Sequence, residues 1–140
     1  MRTTATKASS TGHPAYQQSL PRAAPSAARA RDLVRTVLAG WGLDELADAG
    51  ALLVSELVGN AVRHTRCRLI EVTLTRSSPS TVRIAVADRS HVPPVPRTPD
   101  DGELSGRGLL IVEALTASWG TEPLPWGKRV WGELVREDTG

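Results

Sequence analysis

Apolar residues recur with a helical period from Ala27 to about Thr65 and then with a period of two from Arg68 to Asp88, and this switch limits the chain to few architectures. In the first stretch Ala30, Val34, Val37, Leu38 and Trp41 form one helical stripe, with Ser26 placed as a cap and Gly40 and Gly42 near the stop. Asp44 or Glu45 opens a longer helix to about Thr65, whose Leu46, Ala49, Leu53, Leu57, Val58 and Ala61 can pack inward. In the second stretch Ile70, Val72 and Leu74 share one strand face and Val82, Ile84 and Val86 another, joined by a Ser77-Ser78-Pro79-Ser80 turn. Tyr16 to Leu20 suits a short edge strand stopped by Pro21. Residues 89–105 carry Pro93, Pro94, Pro96, Pro99 and Asp100-Asp101-Gly102, which break helix and strand alike, so they read as a surface loop able to act as a lid. Beyond it the chain predicts a helix from about Gly108 to Ser118, a strand around Trp119 to Glu122, a Pro123/Pro125 turn and a closing strand from Lys128 to Val135. Apolar helix stripes and apolar strand faces need one another. The expected fold class is α/β (α+β), a two-layer sandwich with a mostly antiparallel sheet and helices on one face.

A chain of 140 residues, 40% hydrophobic, can bury one core without disulfides or structural metal. Residues 1–14 are Thr-, Ser- and Ala-rich without periodicity and read as a disordered tail, 15–136 as the domain, and 137–140 as a C-terminal tail. Cys67 alone excludes an internal disulfide framework, and no apolar run is long enough to span a bilayer. Arg2 and Lys7 have no apolar segment behind them, so the start is not a secretory signal and a cytoplasmic location is expected. Positive charge is concentrated early: residues 1–35 hold six basic groups and one acid, whereas 36–140 hold eleven basic and fourteen acidic. A net negative main domain argues against direct nucleic-acid binding.

Four signals then stand in order. Glu56, Asn60 and His64 recur at i, i+4 and i+8 on one helix face. They read either as a solvated polar stripe or as a site, because Asn is a poor interior helix residue and costly to bury. As a site, Asn60 would be an oxygen ligand for Mg²⁺ and Glu56 a general base one turn away, with Arg63 a phosphate contact and His64 structural. Period two puts Asp88 on the face of Val82, Ile84 and Val86, where a carboxylate needs donors; an adenine amino group would supply one, and a turn Asp is the ordinary alternative. Gly106-Arg107-Gly108 opens an apolar helix, so it reads as a phosphate cradle with Arg107 adding charge, or as a flexible loop end. Gly127-Lys128 opens the last strand, where Lys128 and Arg129 read as charge protecting an edge.

In this order the motifs resemble the GHKL (Bergerat-type) ATP-binding domain of DNA gyrase, histidine kinases and heat-shock chaperones, and more closely the stand-alone anti-sigma factor serine/threonine kinases. Residues 56–64, Glu56-Leu57-Val58-Gly59-Asn60-Ala61-Val62-Arg63-His64, match the N box, Asp88 the first glycine box and Gly106-Arg107-Gly108-Leu109 the second. Trp41-Gly42-Leu43 and residues 130–134 also resemble that family, and the likeness spans about Ala27 to Val135. The resemblance implies a mixed sheet with helices on one face, ATP and Mg²⁺ between helices and a lid, Asn60 on the metal, Asp88 on adenine, Gly106 to Leu109 on the phosphates, and Glu56 activating the attacking hydroxyl. It implies a serine or threonine substrate on a small antagonist protein, a sigma factor as the alternative partner, and it allows a homodimer. A binding module that senses ATP and sequesters a regulator without phosphoryl transfer is the other reading. Three departures are visible: Asp88-Arg89-Ser90 lacks the glycine two residues after the Asp, the lid is short and proline-rich, and Arg129 stands where many relatives have a threonine near adenine.

Overall fold

In the computed structural model, which describes residues 3–8, 13–64, 68–88 and 106–137, helical and alternating stretches become elements in the order the periodicity predicts. They are β1 (Thr3–Ala8), β2 (Pro14–Pro21), α1 (Ser26–Gly40), a 3-10 turn (Asp44–Leu46), α2 (Ala47–His64), β3 (Leu69–Ser78), β4 (Thr81–Asp88), α3 (Gly106–Leu115), β5 (Ser118–Leu124) and β6 (Gly127–Val135). The six strands form one sheet in the order β1-β2-β3-β4-β6-β5. Every pairing is antiparallel. Leu20, Ile70, Val72, Leu74, Val82, Ile84, Val86, Val130 and Leu134 line the face that meets the helices, and all are buried with Leu38, Leu53, Leu57 and Val58. Burying each such Leu, Ile or Val is worth roughly 1.5–3 kcal/mol, which holds helices to sheet.

Three local expectations change. Thr3–Ala8, within the stretch read as a disordered tail, is a strand paired to β2, so β2 is an inner strand and not an edge. Thr3, Thr4 and Thr6 are β-branched and an open ladder lies beside them, a partner that composition does not reveal. Ser26 is the first helical residue rather than the cap; Pro25 precedes it and the Ser26 hydroxyl donates to the Pro21 carbonyl at 2.5 Å. At the other end Gly42 takes φ 72, Leu43 N–H returns to Leu38 O at 2.8 Å and Gly42 N–H to Ala39 O at 3.1 Å. This glycine-dependent stop turns the chain sharply and buries Leu43 completely.

Helix α2 lies close to both its neighbours because Gly50 has no side chain. A Cβ there would sit 2.9 Å from Val34 Cγ1, 3.2 Å from Leu38 Cδ1 and 3.4 Å from Ile84 Cδ1. Gly→Ala inside a helix normally gains about 1 kcal/mol. Here the added methyl overpacks the junction of α1, α2 and β4, so Gly50→Ala should destabilise by about 1–3 kcal/mol in urea unfolding. A gain in stability would show that this junction is looser than described.

The other face of the sheet carries polar and aromatic groups. Arg83 lies 3.9 Å over the Trp131 ring and pairs with Glu133 at 3.2 Å, and Arg129 pairs with Glu122 at 2.7 Å. On the helix side, Tyr16 and Trp41 meet with ring centroids 5.9 Å apart, beside a groove of about 150 Å³ lined also by Leu33, Thr36, Val37 and Gly40 of α1. None of the site residues named above lines it. No helix among the described residues is long and apolar enough to cross a membrane.

Candidate nucleotide site

Asn60 is fully buried, and neither its Oδ1 nor its Nδ2 has a hydrogen-bond partner among the described residues. It sits on α2 among Leu57, Val58 and Ala61, all buried themselves, which excludes the solvated-stripe reading for this residue. Leaving a buried polar group unmade costs about 1–3 kcal/mol. An amide kept at that cost fits a group that an external ligand satisfies.

Three contacts fix which end of the sheet this amide occupies. Glu45, just before α2, meets Arg136 at 3.5 Å, and Arg136 follows the residue paired with Thr81 at the start of β4. Gly50 then faces Ile84, midway along that strand. Farther along α2, the Val62 carbonyl accepts from Arg22 Nη1 at 3.5 Å, while Arg22 follows Pro21, whose neighbour Leu20 is aligned through Ile70 with Asp88. Helix and strand therefore run in the same sense. Ten residues of helix from Gly50 cover about 15 Å. Four residues of strand from Ile84 cover about 13 Å, so Asn60 and Asp88 reach the same end of the sandwich.

Asp88 is buried on the face of Val82, Ile84 and Val86, as period two predicts. Its Oδ1 accepts the backbone N–H of Lys128 at 3.1 Å. That bond corrects the charged-edge reading of Lys128 and Arg129, since β6 lies between β4 and β5 and has no free edge. Arg129 is aligned with Ala87, one residue from Asp88 and on the opposite face, and its guanidinium is taken by Glu122. Its departure from a threonine does not reach the face that carries Asp88.

Glu56 lies one helical turn before Asn60 and is half-buried, and Arg63 is exposed with its guanidinium folded back towards Gly59. Helix α3 starts at Gly106, two residues earlier than expected, so Gly106, Arg107, Gly108 and Leu109 form its first turn. The N–H groups of Gly106, Arg107 and Gly108 are among those that a helix leaves without internal partners. The side chains of Arg107, Leu109 and His64 and all of residues 89–105, including Ser90 and the lid, lie outside the described residues. Gly127 is the residue whose importance the sequence understates, because its role depends on a strand partner 39 positions away.

The family model of the histidine kinase-like ATPase domain matches residues 20–127 of this chain. The chain belongs to that family. No curated protein matches it significantly. Membership in the histidine kinase-like ATPase domains makes this an ATP-binding domain of GHKL type, and the match spans Glu56, Asn60, Arg63, Asp88, Gly106 to Leu109 and Gly127. The α+β sandwich agrees with it.

Proposed function

We propose that this ATP-binding domain is a serine/threonine protein kinase of the anti-sigma factor type, phosphorylating a small antagonist protein in a partner switch that controls transcription. The observation that carries the reading is the buried Asn60 carboxamide, without a hydrogen-bond partner among the described residues, at the same end of the sheet as Asp88. Asn60 Oδ1 would hold Mg²⁺, a cation that takes few protein ligands alongside phosphate oxygens and water. Bound there, the ion would offset charge on the transferring phosphoryl group. The first-turn amides of α3, with Arg107 and Arg63, would receive the phosphates. Asp88 would accept the adenine amino group. Glu56 would take the proton from the substrate serine or threonine hydroxyl as its oxygen bonds to the γ-phosphorus and ADP leaves. The antagonist and the sigma factor would compete for the same surface, and a homodimer of the domain is compatible with this arrangement.

The adenine assignment is tested by calorimetry with ATP and GTP, with and without Mg²⁺. A bond to a charged acceptor contributes about 1.5–3 kcal/mol, so Asp88→Asn should lower the preference for ATP over GTP by about 10- to 100-fold. An unchanged ratio would remove Asp88 from base recognition. The kinase assignment is tested with γ-labelled ATP and a cell lysate, where label should appear on serine or threonine of a small protein. Tight ATP binding without transfer would favour the non-catalytic module.

A further inference from the structure

Gly127 is half-buried where β6 begins, and among the described glycines only Gly42 has a positive φ. Backbone conformation therefore does not demand glycine at 127. Space does: a Cβ there would lie 2.6 Å from the Asp88 carbonyl oxygen, 3.3 Å from its carbonyl carbon, and closer still to Asp88 Oδ1. The next residue, Lys128, donates its backbone N–H to that same Oδ1 at 3.1 Å. Two adjacent residues thus act on one carboxylate oxygen, one by leaving room for it and the other by binding it.

We infer that Gly127 is a positioning residue for nucleotide-base selection, its missing side chain letting the Lys128 amide clamp Asp88 Oδ1 so that Oδ2 is aimed at the amino group of the base. The inference rests on the adenine role given above to Asp88. A carboxylate with both oxygens free to rotate would spread its acceptor directions; one held by a backbone donor presents the other in a set orientation. Nothing at Gly127 needs to touch the nucleotide. A methyl group there would push Asp88 aside, and the Lys128 amide would lose its acceptor.

The test is a double-mutant cycle read by calorimetry with ATP and with inosine triphosphate, whose C6 oxygen replaces the amino donor. Gly127→Ala should lower the ATP-to-ITP affinity ratio by about tenfold or more, to the level of Asp88→Asn, while ITP affinity stays nearly constant. The double variant should lower it no further, because both changes disable one contact. A folded Gly127→Ala protein with the wild-type ratio, beside an Asp88→Asn protein that has lost it, would overturn the clamp and leave adenine recognition by Asp88 intact. A ratio unmoved by either change would overturn both. Where Gly127→Ala does not fold, the Lys128 amide decides: its proton resonance should move upfield and lose exchange protection in Asp88→Ala, and an unaltered amide would overturn the clamp.

Discussion

Asn60→Leu should make the nucleotide-free protein more stable while abolishing Mg²⁺-dependent ATP binding. The substitution removes two buried polar atoms that have no partner among the described residues, each costing about 1–3 kcal/mol. It also exchanges a poor helix residue for a good one, a gain of a few tenths of a kcal/mol. Fitting Leu among Leu57, Val58 and Ala61 returns part of that as crowding. A net gain of about 1–2 kcal/mol would raise Tm by roughly 3–8 °C for a domain of this size. Addition of ATP and Mg²⁺ should reverse the ranking. Ligand at a hundred times its Kd stabilises the wild type by about 2.7 kcal/mol and leaves the variant where it was. Thermal unfolding of both proteins, with and without ATP and Mg²⁺, gives the four values required. A variant that melts below wild type without nucleotide would show that the carboxamide is satisfied within the protein, and the site would lose its principal support.

The second large effect is kinetic. Glu56→Ala should leave ATP affinity within about twofold while reducing phosphoryl transfer by about 10²- to 10⁴-fold, the usual range for loss of a general base. Glu56 is half-buried on α2, one turn from Asn60, so its removal leaves the packed face of the helix untouched. Filter-binding for ATP and single-turnover transfer to the antagonist separate the two quantities. Equal transfer by wild type and variant would assign the proton to another group. No transfer by either protein, with tight binding retained, is the behaviour of a module that holds nucleotide and partner without chemistry.

The parts of the site that were legible in the sequence are those governed by a single element's period. Asn60 stood out because an amide in an apolar helix needs a reason, and Asp88 because alternation turned a carboxylate inward. The hairpin of β3 and β4 and the apolar faces of α1 and α2 followed from the same two periods. What could not be read depends on pairing between distant segments. The insertion of β6 between β4 and β5 decides that Lys128 faces Asp88 through its amide and that Arg129 turns away to Glu122. The pairing of Thr3–Ala8 with β2 likewise comes from an open ladder and not from composition, which for this segment pointed to disorder. Ser26 looked like a cap because capping chemistry is local, but the Pro21 carbonyl at 2.5 Å takes its hydroxyl.

The placement of β6 has a temporal consequence. The amide that binds Asp88 Oδ1 comes from residue 128, and the strand carrying it slots between two strands made earlier. As a ribosome releases the chain from its N-terminus, the helices and the β3–β4 hairpin emerge while the Asp88 carboxylate still lacks its Lys128 partner. Until β6 has been added to the sheet, Asp88 has no Lys128 amide to bind, so this contact is among the later ones that the fold can make.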